Sequence, residues 1–272
     1  VGGRVEDDAR MSLAQILLCS LLLATSCTSR PPATDKLLPL PGEAFLLGGH
    51  EAFLILPAMP NTAGPVPWVL YAPTLRGLPS SAEKWLFERL LATGIAIAGI
   101  DVGESYGNPA GCALYDQLYD YLTNERGLST RPVLLGRSRG GLMTLSWAAE
   151  RADRVGAFAG IYPVCDLRSY PGLDKAAGAF GTTSEGLAAR LTQCNPIDRL
   201  GALAAAHVPF FAVHGDRDKT VPLAANSGAL AERLAALGNP IELQVLPGRG
   251  HDMDLGFFHN EALLAFVIRC AH

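Results

Sequence analysis

The sequence predicts an α/β fold: a mostly parallel central sheet with helices on both faces and a small lid insertion. Three observations carry this. Short apolar runs alternate with amphipathic stretches through residues 43–272, the pattern of repeated strand–helix units. The alternation breaks once, at 165–203, into a stretch holding Gly, Pro, Ser and Thr, and then resumes, which reads as an insertion between the sixth and seventh strands of one domain. With 272 residues, 49% hydrophobic and 18% charged, the chain is long and apolar enough to bury a large core.

In order, the runs 44–47 and 52–56 suggest an opening pair of strands, and 66–72 a third. Residues 80–92 follow with Trp85, Leu86, Leu90 and Leu91 at helical spacing. A β-rich run spans 94–102, and 113–124 places Leu114, Leu118 and Leu122 on one helical stripe. Strand 132–135 precedes helix 140–151, and 155–164 is the next strand. Inside the insertion there are two short helix signals, the second opened by Asn195-Pro196, an N-cap followed by Pro at the first helical position. Strand 208–213, helix 223–237, strand 241–246 and a helix over 257–269 complete the pattern.

The first residues differ from the rest. Residues 12–26 hold an apolar stretch of signal-peptide length, too short for a membrane span. Residues 1–27 are therefore expected to be an export signal, with 1–10 an upstream read-through if Met11 is the start. Ala24-Thr25-Ser26-Cys27 resembles a bacterial lipobox, which would attach a lipid to Cys27; cleavage after the small residues is the alternative. The expected location is the periplasm, the exterior or a lipid-anchored position. Residues 28–42, rich in proline, read as a linker. Beyond Cys19 and Cys27 four cysteines remain, Cys112, Cys165, Cys194 and Cys270. Four cysteines allow three pairings, of which Cys165 with Cys194 is favoured because both flank the insertion. The formal charge of −4, from 22 basic and 26 acidic residues, gives no reason to expect a nucleic-acid partner.

Gly136-Arg137-Ser138-Arg139-Gly140-Gly141 fits Gly-x-Ser-x-Gly between a predicted strand and a predicted helix. That context is what the motif requires, because the serine must stand on a sharp strand-to-helix turn. Gly103-Glu104-Ser105-Tyr106-Gly107 is a competitor, but Asn108-Pro109-Ala110-Gly111 after it reads as a loop. A serine hydroxyl needs a base to take its proton, and the base needs an acid to hold its tautomer. The acid candidates, Asp216 and Asp218, lie in His214-Gly215-Asp216-Arg217-Asp218-Lys219-Thr220-Val221-Pro222 after strand 208–213. The base candidate, His251, lies in Pro247-Gly248-Arg249-Gly250-His251 after strand 241–246. All fall at the carboxyl ends of strands, where open α/β sheets bind ligands. No histidine pair has zinc-type spacing with other ligands, so no metal or other cofactor is expected.

These three motifs resemble those of the α/β-hydrolase superfamily, in particular its dienelactone-hydrolase-like and prolyl-oligopeptidase-like esterase branches, over roughly residues 43–272. The resemblance implies Ser138 as nucleophile, His251 as base and Asp218 as the acid, with Asp216 as runner-up. It also implies an oxyanion hole built from the N–H of Arg139 and one from the loop after the third strand. There Pro73 has no N–H, so Thr74 or Leu75 must supply the second donor. Arg76, Arg137, Arg139, Arg217 and Arg249 crowd these motifs, and only four of the basic residues are lysine. One reading is that Arg76, Arg137 and Arg249 recognise a substrate carboxylate such as a uronic acid; the other is that they turn away and pair with neighbouring acids. The expected function is an exported hydrolase of small-molecule or polymer-borne esters. A peptidase is the alternative, although 272 residues leave little room for the large propeller or cap that exopeptidases of this kind carry. A non-catalytic binding protein of the same fold is the third reading.

Overall fold

A computed structural model describes residues 1–2, 31–59 and 64–272; residues 3–27 of the expected export signal, with Cys19 and Cys27, lie outside the described residues. Residues 32–272 form one compact unit. Its sheet has eight strands: β1 (Glu43–Leu47), β2 (His50–Ile55), β3 (Trp68–Tyr71), β4 (Ala96–Ile100), β5 (Val133–Arg137), β6 (Ala157–Ile161), β7 (Phe210–Gly215) and β8 (Glu242–Leu246). The spatial order is β1-β2-β4-β3-β5-β6-β7-β8. The β1–β2 and β2–β4 pairs run antiparallel, and the other five pairs are parallel.

Successive side chains of a strand face opposite ways, and this alternation divides the core in two. Leu70, Ala98, Ile100 and Leu134 face one cluster, where the helices Pro109–Glu125, Arg139–Glu150 and Ser227–Ala236 bury Leu118, Leu122, Leu145, Trp147, Leu230 and Leu234. Val69, Tyr71, Ile97, Val133, Leu135 and Val213 face the other, covered by Lys84–Ala92 and Glu261–Ala271. Both faces of the inner strands are buried, which is why these strands read as continuous apolar runs.

Three expectations need correction. Asn108-Pro109 is a helix start and not a loop: the Asn108 side chain accepts from the Gly111 N–H at 2.8 Å, and Pro109 occupies the first helical position. Residues 32–41 are docked, unlike a free linker. Ala33 bridges Phe45, the Leu46 N–H reaches the Pro32 carbonyl at 2.7 Å, and Leu38 and Leu40 pack on the second core. Prolines remove donors there, but the Pro32 carbonyl and the Thr34 N–H suffice to add this segment to the sheet edge.

The third correction concerns Cys165 and Cys194, which are free thiols and form no disulfide. Cys165 is fully buried with its Sγ 3.6 Å from the Pro163 carbonyl, whereas the Cys194 Sγ turns back to the Arg190 carbonyl of its own segment at 3.1 Å. The inserted stretch between β6 and β7 is a string of short helical turns, Leu173–Ala176, Ser184–Ala188, Leu191–Cys194 and Gly201–Ala205 among them. Several of these pack on a satellite cluster around Leu142, Val164 and Leu187.

Candidate active site

Ser138 stands between β5 and the helix Arg139–Glu150 with φ 51° and ψ −127°, a left-handed conformation that a non-glycine residue holds only when its surroundings enforce it. They do so here. The Ser138 N–H donates to the Ile161 carbonyl at 3.0 Å, and its own carbonyl accepts from Gly141 at 2.9 Å and Val164 at 2.8 Å. The glycines permit the sharpness of the turn: a Cβ on Gly136 would lie 2.6 Å from the Gly141 Cα, and one on Gly141 would lie 2.5 Å from Pro163.

The Ser138 Oγ is 2.9 Å from His251 Nε2, and His251 Nδ1 is 2.7 Å from Asp218 Oδ2. An ionised carboxylate only accepts, so the imidazole proton sits on Nδ1 and Nε2 is left to accept from the serine hydroxyl. Asp218 is held in turn by the N–H groups of Thr220 at 2.9 Å and Val221 at 2.8 Å, both on Oδ1. Its neighbour Asp216 points elsewhere and accepts from the Gly248 N–H at 2.6 Å. Asp216 thus latches the loop that carries His251. That loop and the acid loop touch so closely that a Cβ on Gly215 would lie 2.2 Å from the Arg249 carbonyl.

His214 is fully buried beneath the acid. Its Nε2 is 2.8 Å from the Val221 carbonyl, which can only accept, so that nitrogen carries the proton and Nδ1 accepts from the Ser227 hydroxyl at 2.8 Å. Burial holds its pKa below the usual 6.5, with the Val221 carbonyl and the nearby Asp218 pulling the other way.

Arg139 opens a helix, so no helical carbonyl reaches its N–H. The loop after β3 lies against this elbow: a Cβ on Gly140 would meet the Ala72 carbonyl at 3.1 Å, and Thr74 is buried with its carbonyl 3.4 Å from the Arg139 side chain. Leu75 is 56% exposed at the rim.

Three of the arginines around the motifs meet carboxylates closely. Arg139 meets Glu104 at 2.7 Å, Arg249 meets Asp254 at 2.7 Å, and Arg137 meets Glu83 at 2.7 Å. Arg76 extends into solvent, 3.9 Å from Glu51, and its carbonyl accepts from the Lys36 ammonium at 3.0 Å. Ser105 is buried, and its Oγ accepts from the Gly107 N–H at 3.4 Å; its hydrogen bonds include no histidine. Among the described residues no group of three or more His, Cys, Asp and Glu side chains is arranged to hold a metal ion.

Sequence reasoning missed Glu83, Tyr162 and the approach of His214 Nε2 to Asp218 Oδ2 at 3.5 Å. Only the first had a signal: Ser80-Ser81-Ala82-Glu83 is the Ser-x-x-Glu pattern of a capping box. The Glu83 carboxylate indeed accepts from the Ser80 N–H at 2.8 Å.

The Prolyl oligopeptidase family profile matches residues 117–269, more than half of the chain and all three members of the hydrogen-bonded Ser138–His251–Asp218 series. The chain belongs to the prolyl oligopeptidase family. Solved structures of similar fold include dipeptidyl peptidase 4 of Porphyromonas gingivalis, with a TM-score of 0.69 at 16% identity over 85% of this chain and 36% of that one. A puromycin-hydrolyzing peptidase of Mycobacterium tuberculosis gives 0.66 at 18% identity over 85% and 39%. Est1E from Butyrivibrio proteoclasticus gives 0.60 at 19% identity over 84% of this chain and 98% of its own. This chain therefore spans little more than a third of the two peptidases and nearly all of Est1E. A search of curated protein sequences gives no significant match. At these identities the structural likeness establishes the α/β-hydrolase fold.

Proposed function

We propose that this prolyl oligopeptidase-family chain hydrolyses carboxylic esters through an acyl-enzyme, with Ser138, His251 and Asp218 as its triad. The observation that carries this reading is the series Ser138 Oγ–His251 Nε2 at 2.9 Å and His251 Nδ1–Asp218 Oδ2 at 2.7 Å. Ser138 attacks the ester carbonyl as His251 takes its proton. The carbonyl oxygen becomes an oxyanion held by the Arg139 N–H and one from Thr74 or Leu75. Collapse expels the alcohol, which leaves with the proton returned by His251. Water, deprotonated by the same imidazole, then releases the acid and restores Ser138.

An ester makes the smaller demand on the site because its alkoxide leaves more readily than an amine. The exposed Leu75 and Met253, at 56% and 53%, border the reacting groups on loops open to solvent, which suits a substrate carried on a larger alcohol or polymer. Export through residues 1–27 belongs to the same proposal and is tested by sequencing the mature N-terminus. The second reading is a peptidase, favoured by the family match over 117–269.

Hydrolysis of a short-chain aryl ester by the wild type, with loss of about five to six orders of magnitude in Ser138→Ala, is the expected result. Equal activity in the two would reject the assignment. Faster turnover of aminoacyl anilides than of matched aryl esters would favour the peptidase.

A further inference from the structure

Behind the reacting groups lies a buried ion pair that the triad chemistry does not use. Glu83 is 1% exposed, and its Oε1 accepts from Arg137 at 2.7 Å and from the Tyr71 hydroxyl at 3.1 Å. Its Oε2 accepts from the N–H and hydroxyl of Ser80 at 2.8 and 2.9 Å. The Arg137 guanidinium also donates to Met253 Sδ at 2.9 Å and lies 4.9 Å from the centre of the Phe258 ring. Tyr162 faces the same guanidinium; burial pushes its hydroxyl up to about 12, and Arg137 opposes that rise. The Tyr162 ring in turn packs on His251, centroid to centroid 4.3 Å.

These contacts reach the oxyanion loop, the nucleophile turn and the base loop. Tyr71 ends β3 immediately before the oxyanion loop, and Arg137 immediately precedes Ser138. Met253 follows His251 on the base loop, Phe258 ends the short helix Leu255–Phe258 after it, and the Tyr162 ring packs on the imidazole. We infer that the Glu83–Arg137 pair is a clamp that sets the position of the oxyanion loop, the nucleophile and the base relative to one another. Both are positioning residues, and Arg137 is a structural partner of Glu83 instead of a contact for a substrate carboxylate. A planar fork anchored on two sides suits this role, because one guanidinium can meet a carboxylate, a thioether and an aromatic ring in fixed directions.

The inference rests on the Ser138 assignment above, and the test separates the two. Ester turnover is measured per active site, the sites being counted by the acylation burst. Arg137→Lys keeps the charge but loses the fork, and Glu83→Gln keeps the volume but loses the charge. Each is expected to titrate as fully as wild type yet turn over about 10- to 100-fold more slowly per site, with KM within about threefold. A merely structural pair would give fewer titratable sites, each as fast as wild type, and that result overturns the clamp. A loss confined to KM for acidic esters overturns it as well, in favour of substrate recognition.

Removing one partner of a buried pair is strongly destabilising, so Met253→Ala, which loosens the tie to the exposed base loop, decides the matter if the others do not fold, read as turnover per site with KM within about threefold of wild type so that a lost substrate contact is told apart. A per-site fall of about threefold or more supports the clamp, and none refutes it. Ser138→Ala serves as the control. Wild-type turnover in that variant would remove the nucleophile assignment itself, whereas an inactive Ser138→Ala beside fully active clamp variants would remove the clamp alone.

Discussion

Asp216 and Asp218 are two residues apart and chemically identical, yet their surroundings give them different tasks. Asp218 faces the imidazole and is held by two backbone N–H groups, while Asp216 faces Gly248 on the base loop. Asp218→Asn should lower kcat by about three to four orders of magnitude, because an amide in that place stabilises the wrong tautomer and cannot balance an imidazolium. Asp216→Ala should cost only the latch, about 1 kcal/mol of stability with a small effect on kcat. Steady-state kinetics and urea titration of the two variants check both.

His214 supplies a pH-dependent contribution. Its folded pKa is depressed, so above the usual 6.5 the imidazole is neutral in folded and unfolded chains alike and nothing is lost. Below that value the unfolded chain takes up a proton that the folded one refuses, and stability falls as pH drops, by at most about 1.4 kcal/mol per pH unit for a single proton. Urea midpoints measured from pH 7.5 down to 5.5, values of about one pH unit on either side of that onset, should fall less steeply in His214→Gln than in wild type.

At the scale of elements, the site depends on loops that approach to backbone contact. Gly215→Ala would drive a methyl group to within 2.2 Å of the Arg249 carbonyl and push the base loop off the acid loop. The expected result is a loss of about 1–3 kcal/mol, the usual range for overpacking, together with a fall in kcat larger than the loss of folded protein explains. Thermal melts paired with burst titration separate the two effects.

The central strands were legible in the sequence because they are buried on both faces and bounded by turn residues. The helix starting at Pro109 was not, since Asn-Pro marks a helix start or a loop equally well until the Asn108 side chain is seen accepting from Gly111. The apolar pattern over 257–269 predicts one closing helix, but the helix breaks at Asn260 between Leu255–Phe258 and Glu261–Ala271. Asn260 caps Glu261–Ala271 by accepting from the Leu263 N–H at 2.8 Å.

For the molecule as a whole, a large core leaves little need for a covalent staple. Cys112 is buried with its pKa raised to about 12, and Cys165 is raised further, in both cases chiefly by burial, so neither is a ready thiolate. All four cysteines beyond residue 100 should alkylate completely in denaturant without reductant, and a reductant should leave the melting temperature unchanged. A thiol that required reduction before alkylation would contradict this.

Strand periodicity and turn chemistry are local, and from them follow the fold class, the Gly-x-Ser-x-Gly turn after β5 and the loops after β7 and β8 that carry the Asp218 and His251 motifs. Tertiary structure decided which of two aspartates meets the imidazole, where the arginines point, that the cysteines stay apart and that Glu83 lies behind Ser138. Most of these depend on how segments far apart in the chain are brought together, with Glu83 and Arg137 54 positions apart and Ser138 and His251 113 apart. No local pattern encodes such a distance; it is set when the parallel strands bring their carboxyl ends to one edge of the sheet.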